Sequence, residues 1–255
     1  MASDDKNHAS SILEQPPVIQ IADLRFAWKK QAKPVLEIAS LQIHREERVF
    51  LRGPSGSGKS TLLNLLAGVA LPQSGVLKVL GQDMTVLGSA QRDHFRADHI
   101  GFIFQMFNLI PYLSVVENVT LPCRFSGKRR HKVLAQGDSL EHEAIRLLDH
   151  LDMAHADVLH EPVSELSVGQ QQRVAAARAL IGAPELVIAD EPTSSLDADR
   201  RSAFIDLLFR ECDSANATLI FVSHDNTLQA PFERTIEFDQ LNRAAQAQPK
   251  LHVVS

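Results

Sequence analysis

The run Gly53-Pro54-Ser55-Gly56-Ser57-Gly58-Lys59-Ser60-Thr61 follows the pattern G-x-x-x-x-G-K-[ST]. It suits the binding of a nucleotide's β- and γ-phosphates in place of water. Glycines let backbone N–H groups converge on an anion with no Cβ in the way. The Lys59 ammonium adds a point charge, and the Ser60 hydroxyl can complete an Mg²⁺ shell. A plain glycine-rich turn is the rival reading, and the flanking sequence, strand before and helix after, disfavours it.

Three further groups could act on the same ligand. Glu185-Leu186-Val187-Ile188-Ala189-Asp190-Glu191 is an apolar run that ends in two carboxylates. Asp190 suits an Mg²⁺ water shell, and Glu191 suits polarising the water that attacks a γ-phosphate. The apolar run Thr218–Ser223 ends at His224, where open α/β sheets place ligand chemistry. Leu166-Ser167-Val168-Gly169-Gln170 puts small residues and a hydroxyl at the start of a helix, a second anion-binding arrangement.

These residues need particular elements beneath them. Arg48–Arg52 reads as a short strand running into the phosphate loop, and Ser60–Gly68 as a leucine-rich helix with a glycine stop. Such a helix points its N-terminal amides at the phosphates. Alternating runs such as Val35–Ile38 and Leu41–His44, with Gly75–Gly81, read as strands of a small antiparallel layer. From about Met106 to Glu165 the pattern turns helical. Within it Leu140, Ala144, Leu147, Leu148 and Leu151 share one helical face, and Asp138 is placed as N-cap with Glu141 three residues on. A parallel core sheet then resumes with the strands ending at Glu191 and His224. The expected class is α/β: a P-loop NTPase core with a parallel sheet, a small antiparallel layer and an inserted helical subdomain at 106–165. Residues 1–17 are expected to be a flexible tail, 18–240 the folded domain and 241–255 a C-terminal tail.

The order of these motifs resembles the ATP-binding cassette (ABC) family over roughly residues 18 to 240. The resemblance implies ATP and Mg²⁺ as cofactors and all nine residues from Gly53 to Thr61 as the phosphate site. Trp28 matches the aromatic that stacks on adenine, and Gln105 the glutamine that senses Mg²⁺ and the attacking water while linking to a membrane partner. Mg²⁺ would be held by Ser60, Gln105 and Asp190. Glu191 would be the base, and His224 would contact the γ-phosphate. Ser167, Gly169 and Gln170 resemble the signature motif, which faces ATP on a second subunit. Ser195-Leu196-Asp197 resembles the loop that crosses the dimer interface, with Asp197 in the nucleotide set. A head-to-tail homodimer enclosing two ATP molecules is therefore implied.

One position departs from the family pattern, since the signature usually has two successive glycines and Val168 stands at the first of them. A β-branched side chain excludes positive φ in practice, so the backbone is ordinary there or the loop is reshaped. The stretch Phe102–Pro111, with Glu117–Pro122, narrows the resemblance to the LolD/MacB/FtsE-like group. That implies an FtsX/MacB-type permease partner, docked near Met106–Val119, and export of lipoproteins, peptides or amphiphiles. The alternative output is a signalling module that acts on envelope enzymes without moving cargo.

Composition sets outer bounds. With 255 residues, 44% of them apolar, the chain can bury one sizeable core. No apolar run is long enough to span a bilayer. The polar start lacks an apolar signal region, so the protein is expected to stay in the cytoplasm, on the inner face of the plasma membrane through its partner. No further domain is expected after Asp239. Net charge of −5 with dispersed Lys and Arg argues against a nucleic-acid partner. The basic run Lys128–Lys132 is expected to be a solvated loop, with anionic lipid as the second reading. Cys123 and Cys212 are isolated and expected to be reduced thiols, and the eleven histidines show no metal-binding spacing.

Overall fold

The computed structural model describes residues 16–29, 32–135, 137, 139–153, 157–194, 196 and 198–246. They form two compact units, one from the described residues within 16–45, 49–88 and 224–246, the other from those within 46–48 and 89–223.

The first unit carries the antiparallel layer. Strand β1 (Ile19–Phe26) pairs on one side with β2 (Leu36–Ile43) and on the other with β4 (Ser74–Val79), which pairs in turn with β5 (Gln82–Asp83). Both β1 and β2 bury alternate side chains, as a layer with one wet face requires: Ile19, Ile21, Leu24, Leu36, Ile38 and Ile43 are all buried. The two runs Val35–Ile38 and Leu41–His44 thus belong to one strand. Each such side chain contributes about 2 kcal/mol by leaving water. Residues Val49–Arg52 of β3 (Arg48–Arg52) run parallel to β9 (Arg234–Glu237), and Arg52 makes a two-contact ion pair with Glu237 (2.9 and 2.8 Å). Helix α1 (Lys59–Leu66) follows β3, with Leu62, Leu63, Leu65 and Leu66 buried and Gly68 at φ 68° just past its end.

The second unit has the parallel strands β6 (Ile100–Ile103), β7 (Leu186–Asp190) and β8 (Thr218–Ser223), adjacent in that order. β8 is buried at every position, as a strand covered on both faces should be. Helix α2 (Ser89–His99) leads into β6. The segment expected to be helical contains α3 (Val115–Thr120), α4 (Pro122–Phe125), α5 (Gly127–Ala135) and α6 (Leu140–His150). In α6 the predicted face buries Ala144, Leu147 and Leu148, followed by Leu151. Its cap is Ser139, whose Oγ accepts from His142 N (3.0 Å); Asp138 lies outside the described residues. Helix α7 (Val168–Leu180) starts at the signature, and α8 (Ala198–Ser214) precedes β8.

Two expectations are corrected. The basic run Lys128–Lys132 is helix α5, not a loop. Lys128 and Lys132 are drawn to Glu185 (2.6 and 3.7 Å), and Arg129 is 2% exposed. Nor is Leu241 the start of a tail: α9 (Phe238–Leu241) and α10 (Arg243–Gln246) continue the fold, with Asn242 and Ala244 buried. Phe238 and Asn242 supply the apolar anchor and polar bonds that hold them; residues 247–255 lie outside the described residues.

Candidate nucleotide site

In the first unit the phosphate loop runs from β3 to α1. Gly56 and Gly58 adopt φ of 78° and 106°, values that side chains rarely tolerate. Their conformations let successive amides face one side. Pro54, Ser55, Gly56 and Ser60 are exposed, while Gly53, Lys59 and Thr61 are buried. Lys59 Nζ donates to the carbonyls of Gly53 (2.7 Å) and Pro54 (3.0 Å), so the cation is held at the loop itself. Ser57 Oγ is buried with no hydrogen-bond partner. Trp28, just after β1, is 62% exposed and braced edge-on by Phe26 at 5.0 Å, leaving its indole open for stacking. His224 is exposed. Asp225 after it caps a short turn by accepting from Thr227 N (3.0 Å) and Oγ1 (2.7 Å).

In the second unit Asp190 ends β7 and Glu191 breaks out of it with φ 50°. A glutamate in the left-handed region costs about 1–2 kcal/mol, and strain of this sort gathers at functional sites. The Glu191 N–H is held by Val222 O (2.9 Å). Both carboxylate residues are half-buried. Ser167 caps α7 through a capping box: its Oγ accepts from Gln170 N (3.4 Å), and the Gln170 side chain accepts from Ser167 N (2.9 Å). Val168 therefore occupies the first turn of a regular helix and is 51% exposed. The ordinary-backbone alternative holds, and no glycine geometry is missing at that position. Leu196 N donates to Thr193 O (3.1 Å), while Ser195 and Asp197 lie outside the described residues.

Gln105 is exposed in the turn after β6. Two and three residues on, Phe107 and Asn108 both have positive φ (58° and 51°). Arg178 of α7 reaches their carbonyls, at 2.6 Å for Asn108. Arg178 is 8% exposed, and burial lowers its pKa to about 10. Sequence reasoning missed this contact. Its signal was a cation inside the buried run Val174–Ile181, where a charge must find acceptors. The chain after Gln105 is also tied to the segment before the signature: Val115 N donates to Glu161 O, and Val163 N to Leu113 O. Asn118, fully buried, organises this stretch by accepting from Ile110 N (2.8 Å) and donating to Ile110, Leu113 and Ser114 carbonyls.

Beside Gln105 lies a cavity of about 510 Å³, lined by Phe102, Phe104, Pro122, Phe125, Arg129 and Arg178 among others. Arg129 is buried with Nε and Nη2 unpartnered, and burial lowers its pKa to about 10.

Residues 36–194 match the ABC transporter family. The chain belongs to this family. Its relatives include the lipoprotein-releasing system ATP-binding protein LolD of Xanthomonas euvesicatoria pv. vesicatoria, 37% identical over 84% of each chain. LolD of Hydrogenovibrio crunogenus is 36% identical over 88% of this chain and 94% of its own. Among solved structures, the ATP-binding cassette MJ0796, a dimer in a post-hydrolysis state bound to ADP and Pi, matches at a TM-score of 0.74 and 31% identity. That match covers 89% of this chain and 95% of the other. The protein is thus an ABC ATPase, the ATP-binding subunit of an ABC transporter, with the α/β P-loop fold expected from its sequence. Trp28, His224 and Asn242 lie outside the family match, so their places in an ABC ATPase rest on their own surroundings.

Ser60 in the first unit, and Asp190 and Gln105 in the second, each carry a hard oxygen donor of the kind Mg²⁺ takes. No cluster of three or more His, Cys, Asp or Glu that could cage a metal occurs among the described residues. An ion that usually keeps several waters and is held through one or two carboxylates and substrate phosphates needs no such cluster. The described residues include no helix long and apolar enough to cross a membrane.

Proposed function

We propose that two copies of this chain close head to tail on two ATP molecules and so drive an FtsX/MacB-type permease. The output is export of a lipoprotein, peptide or amphiphile. The observation that carries this reading is the capped signature helix. Ser167, Gly169 and Gln170 sit at the amide end of a thirteen-residue helix, as an anion supplied by a second copy would need.

In this reading the loop amides of residues 53–61 and Lys59 bind the β- and γ-phosphates, and Trp28 stacks on the adenine. Ser167, Gly169 and Gln170 of one copy, with Asp197, complete the site of the other. Glu191 accepts a proton from water as the water oxygen bonds to the γ-phosphorus. The bond from that phosphorus to the β–γ bridging oxygen breaks, leaving ADP and phosphate. His224 and Gln105 orient the γ-phosphate and the water. Mg²⁺, held by Ser60, Asp190 and Gln105, would offset the charge on the phosphates. Most of the work is positioning and electrostatics.

The cavity beside Gln105 is the place for a short cytoplasmic segment of the permease, because movement there reaches Gln105 and, through Arg178, the signature helix. In this reading the chain works at the cytoplasmic face of the plasma membrane. The test is capture of a Glu191→Gln protein with ATP from its native membrane. Recovery of a permease with a large extracytoplasmic domain is expected; recovery of soluble partners alone would overturn the transport reading. A cargo that moves only with active Glu191 separates transport from a signalling module.

A further inference from the structure

The phosphate loop is braced from beneath by the far end of the chain. Asn242, between α9 and α10, is fully buried and uses its whole hydrogen-bonding capacity. Its Nδ2 donates to Ser57 O (3.0 Å) and Val35 O (2.9 Å). Its Oδ1 accepts from Glu37 N (2.9 Å) and Ala244 N (3.2 Å). One side chain therefore joins the loop, the start of β2 and α10.

The loop rests closely on this floor. A Cβ on Gly53 would come 2.9 Å from Phe238 Cβ, and one on Gly58 would come 3.0 Å from Leu36 Cδ2 and 3.3 Å from Val35 O. Ser57 lies between Gly56 and Gly58, the two loop residues with positive φ and the freest backbone. A planar trans peptide fixes the C=O of Ser57 and the N–H of Gly58 in opposite directions. Drawing the Ser57 carbonyl down to Asn242 consequently turns the Gly58 amide up, away from the floor.

We propose that Asn242 is a positioning residue for ATP binding, holding the Ser57–Gly58 peptide in the orientation that presents its amide to phosphate. This rests on residues 53–61 being the phosphate site. The cost of losing Asn242 falls on nucleotide affinity, because the glycine-flanked peptide is then free to turn over.

The informative variant is Asn242→Asp. It keeps the size and both acceptor contacts, loses both donors and sets a carboxylate against two carbonyls. ATP and ADP affinities of wild type, Asn242→Asp and Asn242→Ala are measured by titration calorimetry, well below each protein's unfolding temperature. The expected result is a loss in ATP affinity of about ten-fold or more in Asn242→Asp. KM for ATP should rise in step, with kcat at saturating ATP within about two-fold. A bystander of purely structural value would lower the unfolding temperature and leave affinity alone. Affinities within about two-fold of wild type in the variants that fold would overturn the proposal. Should Asn242→Asp fail to fold, Asn242→Ala carries the same comparison. Wild type that binds no ATP would remove the phosphate site itself, a separate failure.

Discussion

The phosphate loop and the turn after Gln105 meet one demand, a backbone at positive φ, by opposite means. In the loop the positions are Gly56 and Gly58, which adopt it without a Cβ penalty. After Gln105 they are Phe107 and Asn108, which do not, and Arg178 holds their carbonyls from a helix seventy residues along the chain. Glu191 belongs with the second kind. A glycine loop is conformationally cheap and must be oriented by neighbours; a strained turn stays in place only while its brace stays. The first suits a site that closes on a ligand, the second a site that responds to a distant element.

The largest effect should come from removing the brace. Arg178→Met leaves two carbonyls without their donor, at a cost of about 3 kcal/mol, since each buried unsatisfied group costs about 1–3 kcal/mol. Denaturant unfolding measures this. If the turn needs no brace, the loss will be under about 1 kcal/mol, as for an ordinary surface substitution.

A smaller effect is expected at Glu185, which is half-buried just before β7 and anchors α2 and α5. Burial works to raise its pKa, but the bonds from His99 (3.2 Å) and Lys128 (2.6 Å), with Lys132 near, outweigh that and hold it well below the ordinary range. A carboxylate with a depressed folded-state pKa contributes stability above its unfolded value, about 4.3, that is lost as pH falls through the folded value. Glu185→Gln should therefore cost about 2 kcal/mol near pH 7. The difference from wild type should shrink steadily below about pH 4. A difference that persists unchanged into acid would show that packing rather than charge is at stake.

The smallest effect sharpens the contrast most. Asn108→Gly relieves a positive φ at an exposed residue and should stabilise the fold by roughly 0.5 kcal/mol, since asparagine tolerates this region better than most. It should also loosen the turn, so ATP turnover with the permease should become less dependent on the permease. Unchanged coupling would mean that the strain carries no signal.

Much of this was legible in the sequence, and for a specific reason. The phosphate loop, the signature and Asp190-Glu191 are contiguous motifs whose chemistry forces residue types at fixed spacing. Alternation within Val35–Ile38 and Leu41–His44 likewise marked β2 as a strand. What escaped notice acts across long separations. Arg178 serves a turn at 107–108, and Asn242 serves Ser57, 185 residues away. No local pattern names the partner in such pairs: the apolar run around Arg178 says only that its charge must find acceptors, and Asn242 reads as an ordinary polar residue. Lys128–Lys132 misled for the mirror reason, because charge density suggested solvent while Glu185 lay waiting from a strand far along the chain.

The central claim is that Glu191 drives ATP hydrolysis in a cassette whose two copies close on ATP. The measurement is steady-state ATP turnover and ATP-dependent self-association of wild type and Glu191→Gln, side by side. Removing a general base should lower turnover by about 100-fold or more. The Glu191→Gln protein should still bind ATP and sediment as a stable dimer. Turnover near the wild-type rate in Glu191→Gln, or no dimer with ATP, would contradict the account.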